Sequence, residues 1–339
     1  MTADTVGGVW TYCVELAQAL DAEVHLATMG RPLSAAQRAE VGVFAAVHES
    51  AFPLEWQDAP WDGVDAAGEW LLSLERELRP DVVHLNGYAH AALAWHAPTV
   101  VVAHSDVVSW WRAVQGGEPG PDWDTYRRRV TEGLAAAGRV VAPTAAVADD
   151  LARAYGAHDV VVVPNCRRPD LVRPAPKEPF VLTAGRVWDR AKGVDALCRV
   201  APQLPGRVLV AGEGEADLPG VEALGQLPFP ELAALLARAA VFASPARYEP
   251  FGLGALEAGL AGCALVLGDV PSLREVWGKA ATYVRDDTSL ARELTALLAD
   301  PDLAAERGRA ARDRALTFSP DRTAAGYRDV YASLPVGAR

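Results

Sequence analysis

Glu249-Pro-Phe-Gly-Leu-Gly-Ala-Leu-Glu257 places seven residues between two carboxylates, and those seven are a proline, two glycines and apolar side chains. The run Ala239 to Ser244 just before it is strand-like, and Leu253 to Leu260 reads as a helix. Glu249 therefore falls in a strand-to-helix loop, with Glu257 about one turn inside the helix. Gly252 and Gly254 let the backbone approach a ligand closely. The N–H groups of a helix start at Gly252, Leu253 and Gly254 point outward and favour an anion such as a phosphate. The carboxylates would repel a phosphate, yet they accept hydrogen bonds from hydroxyls. Taken singly, a loop Glu or a helix Glu is ordinarily a solvated charge. In combination they describe a site for something that carries both phosphates and hydroxyls, as a nucleotide sugar does.

A second stretch, Phe180-Val-Leu-Thr-Ala-Gly185-Arg186-Val-Trp-Asp-Arg-Ala-Lys192-Gly193, is a buried-type strand, a glycine and two spaced cations before a helix. Strand ends in α/β folds are where ligands bind. A donor that departs as a nucleoside diphosphate builds negative charge on its β-phosphate, and fixed Arg and Lys groups stabilise that charge. The stretch is not a phosphate-binding P-loop, which requires a second glycine immediately before the lysine.

Composition narrows the alternatives. The chain has 339 residues, half of them hydrophobic, and a formal net charge of −12. Its length favours two domains. The negative charge argues against nucleic acid or an anionic membrane as main partner. No apolar run reaches the length of a membrane span, and no signal peptide is visible. Cys13, Cys166, Cys198 and Cys263 lack metal spacing and read as reduced core thiols of a cytoplasmic protein. His84, His90 and His96 recur every six residues, which is no usual metal spacing. Asp122-Trp-Asp124 spells a metal-binding D-x-D, but it follows a Gly/Pro-rich stretch and reads as a loop and helix cap. Arg127-Arg-Arg129 reads as a solvated helix face, with peripheral contact to lipid headgroups as its alternative.

Short apolar runs alternate with helical patterns throughout. The first half predicts strands over Glu23–Thr28, Val41–Val47, Asp81–Asn86, Thr99–His104, Arg139–Ala142 and Val160–Pro164. Helices are predicted over Gly8–Leu20, Asp65–Leu78, Thr125–Ala137 and Thr144–Tyr155. The second half predicts strands over Phe180–Ala184, Arg207–Ala211, Val241–Ala243 and Ala264–Leu267. Continuous Val-rich runs suit parallel sheets buried on both faces, so the pattern implies two doubly wound α/β domains. Their expected limits are 1–164 and 180–318, joined by a proline-rich linker over 165–179, with a last helix in 319–339. Only Met1-Thr-Ala-Asp4 precedes the glycine turn at Gly7-Gly8, too little for a buried strand of about five residues. The expectation is that Met1 is internal to a longer natural chain and that this first strand is truncated.

The Glu-x7-Glu stretch, with the Arg and Lys ahead of it, resembles the signature of retaining GT-B glycosyltransferases, most closely glycosyltransferase family 4. The resemblance covers nearly the whole chain. It implies two Rossmann-like domains with a cleft between them and a terminal helix that crosses back to the first. It also implies sugar transfer from a nucleotide-diphosphate donor (UDP-, GDP- or ADP-linked) to a hydroxyl of a carbohydrate, lipid or small molecule. Configuration would be retained, with no metal and no cofactor. By the same resemblance Glu249 contacts the donor sugar hydroxyls, Glu257 holds the ribose, and Arg186 and Lys192 grip the diphosphate. Thr5-Val-Gly7-Gly8-Val-Trp resembles the loop that closes over donor phosphate or acceptor. His104, at the end of a buried strand, matches an active-site histidine that supports the donor sugar. Asn86, after the preceding strand, is a candidate acceptor ligand, and the base is expected near 225–229. Other readings are a sugar-nucleotide epimerase, a sugar phosphorylase, or a nucleotide-sugar binding protein without turnover.

Overall fold

The computed structural model describes residues 1–214 and 218–335. The chain divides into two units, Met1–Asn165 together with the chain from Pro320 onward, and Cys166–Ser319. In the first unit the strands are β1 (Thr2–Asp4), β2 (His25–Met29), β3 (Ala46–Glu49), β4 (Val83–Leu85), β5 (Thr99–Val102), β6 (Arg139–Ala142) and β7 (Val161–Val162). They form two all-parallel ladders, β1-β2-β3 and β4-β5-β6-β7. Residues 2–4, judged too few for a strand, do form one. Thr2 pairs with Ala27 and Asp4 with Met29, and Ala3 is fully buried. The two ladders meet where β1 runs beside β4. There Asn86, just past β4, donates its backbone N–H to Thr2 Oγ1 at 2.9 Å and its Nδ2 to the Thr2 carbonyl at 2.6 Å. Side chains at this seam do what a backbone ladder does elsewhere in the sheet.

The predicted strand over Val41–Val47 is corrected. Ser34 caps a helix at Ala35–Glu40 with a reciprocal capping box, and the chain continues as a 3₁₀ turn through Val43. Extended pairing begins only at Ala46, so β3 covers the end of the predicted run. The helix Pro320–Ala332 packs in this first unit. Its Tyr327 and Val330 join the core of Trp10, Leu16, Leu26 and Val102, and Thr323 Oγ1 donates to the Pro164 carbonyl at 2.9 Å.

The second unit has six parallel strands, β8 (Glu178–Ala184), β9 (Arg207–Ala211), β10 (Glu222–Gly225), β11 (Ala239–Ser244), β12 (Ala264–Gly268) and β13 (Thr282–Val284). Their spatial order is β10-β9-β8-β11-β12-β13. Period-two alternation feeds a separate core on each face. Leu182, Phe242 and Leu265 point to one, with Leu256, Leu260 and Trp277. Val181, Val241 and Val266 point to the other, with Leu197, Leu290 and Leu294. Counting strands within the unit, the order is 3-2-1-4-5-6, that of a dinucleotide-binding fold. The strand order reverses its winding between β8 and β11, which makes the carboxyl ends of those two parallel strands a topological switch point. In open α/β sheets such a switch point is where ligands bind.

The proline-rich stretch between the predicted domains is well packed. Val172 is buried, and Lys177 Nζ donates to the carbonyls of Leu236, Ala237 and Ala261 at 2.8–3.2 Å. These carbonyls close the helices Phe229–Arg238 and Leu253–Leu260, so the ammonium satisfies backbone acceptors left over at two helix ends.

Candidate active site

The two decisive stretches leave the two strands that flank the switch point. Arg186 and Lys192 lie in the loop after β8, and Glu249 lies in the loop after β11. They converge: Lys192 Nζ donates to Glu249 Oε2 at 2.8 Å, with both side chains mostly buried. Backbone fit holds both loops in place. Gly193 has φ 67°, and a Cβ there would run into the Pro245 carbonyl oxygen. A Cβ at Gly268, the end of β12, would strike the carbonyl oxygen of Ala246. Arg247 N–H donates to the Ala191 carbonyl at 2.8 Å, and Ser272 Oγ donates to the carbonyl of Glu249 itself. Larger side chains at either glycine would push the loops apart, so the Lys192–Glu249 meeting depends on them.

Arg186 is held three residues along by Asp189, whose buried carboxylate accepts from Arg186 at 2.8 Å and caps the turn at the Ala191 N–H. The Arg186 guanidinium also stands 5.3 Å from the ring centroid of Trp188, which is exposed. An Arg has five N–H donors and a Lys three, so both cations retain donors for a ligand oxygen after these contacts.

The helix Leu253–Leu260 begins where the sequence places it. Its N-cap is Gly252 at φ 91°, a left-handed conformation that favours glycine, and no side chain caps the first turn. Leu253 and Gly254 are half-buried there, at the positive end of the helix dipole. Glu257, one turn in, is buried and accepts from Arg167 Nε at 2.8 Å. Arg167 in turn lies over the Phe229 ring, 4.4 Å from its centroid. Sequence reading missed Arg167, because a cation in a proline-rich connection carries no periodic signal. Asp189 was legible only as a neighbour of the cations.

In the first unit, Gly7 takes φ 82° at the start of the helix Gly8–Ala19, after a turn in which Asp4 accepts from the Val6 N–H at 2.6 Å. Both glycines are exposed. His104 stands two residues past β5, half-buried, with its Nε2 2.8 Å from Asn86 Oδ1. Burial pushes the His104 imidazolium down to a pKa of about 4, so the ring is neutral near pH 7. The Asn86 amide is engaged by protein on both sides, by Thr2 and Cys13 through Nδ2 and by His104 through Oδ1.

The remaining sequence candidates disperse. His84 is buried between Tyr12 and Tyr331, His90 binds the Val64 carbonyl, and His96 binds Glu75. Asp122 lies in a 3₁₀ turn and Asp124 opens the helix Asp124–Ala136, whose N-cap is Trp123, without a side-chain cap bond there. Arg127, Arg128 and Arg129 are each paired with a carboxylate, Glu118, Glu132 and Asp65 respectively. Among the described residues no His, Cys, Asp or Glu cluster could hold a metal, and no helix is long and apolar enough to cross a membrane. All four cysteines are buried free thiols.

Known proteins resemble this chain along both units. The family model described as Glycosyltransferase Family 4 matches residues 6–171, and the model for Glycosyl transferases group 1 matches residues 178–300. The D-inositol 3-phosphate glycosyltransferase of Xylanimonas cellulosilytica is 31% identical, over 96% of this chain and 91% of that protein. The glycogen synthase of Mycobacterium tuberculosis is 30% identical, over 79% of this chain and 72% of that one. In structure, the sucrose-phosphate synthase of Thermosynechococcus elongatus superposes with a TM-score of 0.81 at 21% identity, covering 98% of this chain and 96% of its own. The Anabaena HepE protein in complex with UDP and glucose superposes at 0.77 and 16% identity, over 98% of this chain and 100% of that one. With two Rossmann-like domains of the GT-B kind and a match along both of them, the chain belongs to glycosyltransferase family 4.

Proposed function

We propose that this glycosyltransferase moves a sugar from a nucleoside-diphosphate donor to an acceptor hydroxyl with retention of configuration. The observation that carries the reading is the convergence of Lys192 and Glu249, 2.8 Å apart, at the switch point of the second unit. A cation for a diphosphate and a carboxylate for sugar hydroxyls stand side by side there, next to an uncapped helix start. In the proposed step the bond from the anomeric carbon to the β-phosphate oxygen breaks. The acceptor oxygen bonds to that carbon on the same face, and the acceptor proton passes to the departing phosphate. Arg186 and Lys192 stabilise the charge that grows on the leaving group. Glu249 orients the sugar, Glu257 holds the ribose, and His104 supports a sugar hydroxyl. Residues of this chain supply the positive charge, so the reaction needs neither metal nor cofactor.

The test is the product formed from an α-linked donor, chosen from UDP-, GDP- and ADP-sugars, with carbohydrate, lipid and small-molecule acceptors. Proton NMR should show an α-linkage, and a β-linkage would refute retention. Turnover of a UDP-sugar without acceptor would favour an epimerase. An absolute need for inorganic phosphate would favour a phosphorylase. Binding without turnover across the panel would favour a non-catalytic binding protein.

A further inference from the structure

The amide of Asn86 is oriented by its surroundings. Its Nδ2 lies 2.6 Å from the Thr2 carbonyl oxygen and 3.2 Å from Cys13 Sγ. A carbonyl oxygen only accepts, so the amide NH₂ must face Thr2. The reversed amide would press two acceptors together at 2.6 Å. Oδ1 therefore faces His104 Nε2, 2.8 Å away. An amide oxygen carries no proton, so the hydrogen in that contact belongs to Nε2. The Tyr12 ring packs against the His104 ring at 67°, centroids 4.6 Å apart, and restrains its plane. A neutral imidazole has one N–H, so with Nε2 protonated, Nδ1 is a bare lone pair.

We propose that Asn86 is a positioning residue that fixes His104 as the Nε2–H tautomer, so that His104 meets its ligand as a hydrogen-bond acceptor. Such a group selects a sugar hydroxyl, which can donate. It rejects a phosphate oxygen, which at neutral pH only accepts. The opposite tautomer or an imidazolium would welcome phosphate instead. The selectivity rests on the reading of His104 as a donor-site residue, whereas the tautomer stands on the contacts of Thr2, Asn86 and His104 alone. It also gives the Asn86 amide a task other than acceptor binding.

The experiment is long-range ¹H–¹⁵N spectroscopy of the full chain labelled with ¹⁵N-histidine, with His104 identified by the signals lost in His104→Gln. At pH 7.5 the wild type should show His104 with a protonated Nε2 and a bare Nδ1. A bare Nε2 or an imidazolium would overturn the proposal. In Asn86→Ala, checked for folding by circular dichroism, the two ring nitrogens should shift toward a mixture of tautomers. A folded Asn86→Ala with an unchanged single tautomer would also overturn it. Should that variant not fold, near-isosteric Asn86→Asp decides: a carboxylate against Nε2–H should raise the His104 titration midpoint by about one pH unit or more. An unchanged midpoint there would overturn the coupling. Tyr12, Cys13, His84 and the Met1 ammonium are the other titratable groups around this pair; His84 also interacts with Asn86 and His104, so its signals are followed separately from those of His104 in the same spectra. Failure of the donor reading would show elsewhere, as sugar nucleotides that bind nowhere on the protein, and would leave these spectra as they are.

Discussion

Arg167 Nε donates to Glu257 Oε1 at 2.8 Å, and the same guanidinium covers the ring of Phe229. The carboxylate comes from the helix after β11, the cation from the proline-rich segment and the ring from the start of another helix. The pair answers a difficulty raised by the sequence, where two carboxylates flank a site that is meant to take phosphates. Each is met by a cation from a distant stretch, Glu257 by Arg167 and Glu249 by Lys192. The local charge is thereby balanced at both carboxylates.

Breaking this pair should be costly. Both side chains are about nine-tenths buried, and removing one takes a close counter-charge from the other in a poorly solvated place. Arg167→Ala should destabilise the protein by about 3–5 kcal/mol and weaken nucleotide binding. Arg167→Lys should recover part of both, since it keeps the charge but not the planar stacking. Urea unfolding and nucleotide titration check this. A loss of stability below about 1 kcal/mol would mean that Glu257 does not depend on Arg167.

Lys192→Ala and Arg186→Ala should each slow transfer more than they weaken nucleoside binding, because leaving-group charge is greater in the transition state than in the bound donor. A cost on the order of 2–4 kcal/mol in the barrier is expected for each. Glu249→Ala should lower turnover by at least about a hundredfold, by removing contacts in a preorganised site. Separate determination of kcat and donor KM distinguishes the roles. An effect confined to KM would mean that the cations hold only the ground state.

His104 gives a pH signature. Its pKa falls from 6.5 to about 4 on folding because burial disfavours the charged ring. Below 6.5 the unfolded chain binds a proton that the folded ring refuses. The stabilising contribution is therefore complete above the unfolded value and is lost as pH drops from 6.5 toward 4. Denaturant unfolding of wild type and His104→Gln across that window should show the wild type losing stability relative to the variant as pH falls. Parallel curves would show that the ring titrates normally.

Activity should survive EDTA if, as proposed, Arg186 and Lys192 supply the positive charge that offsets the phosphates. Complete loss of activity, restored by added Mg²⁺, would contradict this and return attention to Asp122 and Asp124.

Much of the second unit was legible because its strands are buried on both faces. The strand-like run at 239–244 coincides with β11, longer at both ends than the predicted strand Val241–Ala243, and the helix after it starts and ends where predicted. Gly252 marks that start because its left-handed φ favours a residue without a side chain. Three of the short strands are not predicted. β1, β10 and β13 have three or four residues each, too few to show a period, and they are fixed by their neighbours in the sheet. The 3₁₀ turn through Val43 broke an apolar run that reads as one strand, because the capped helix before it continues past its last polar residue. Glu249, Glu257, Arg186 and Lys192 stand out by spacing. Their partners do not, because the Arg167–Glu257 contact joins residues 90 apart in sequence and only the fold brings them together.

The most direct test of the central claim, a sugar-nucleotide site built from Glu249, Glu257, Arg186 and Lys192, is a thermal-shift panel of UDP, GDP, ADP and their sugars. The wild type is run against Glu257→Ala and Lys192→Ala. A ligand at a hundredfold excess over its Kd adds about 2.7 kcal/mol of stability by mass action. At least one nucleotide should therefore raise the Tm of the wild type clearly, and the same concentration should raise it much less in each variant. No shift with any nucleotide, or an equal shift in all three proteins, would contradict the assignment.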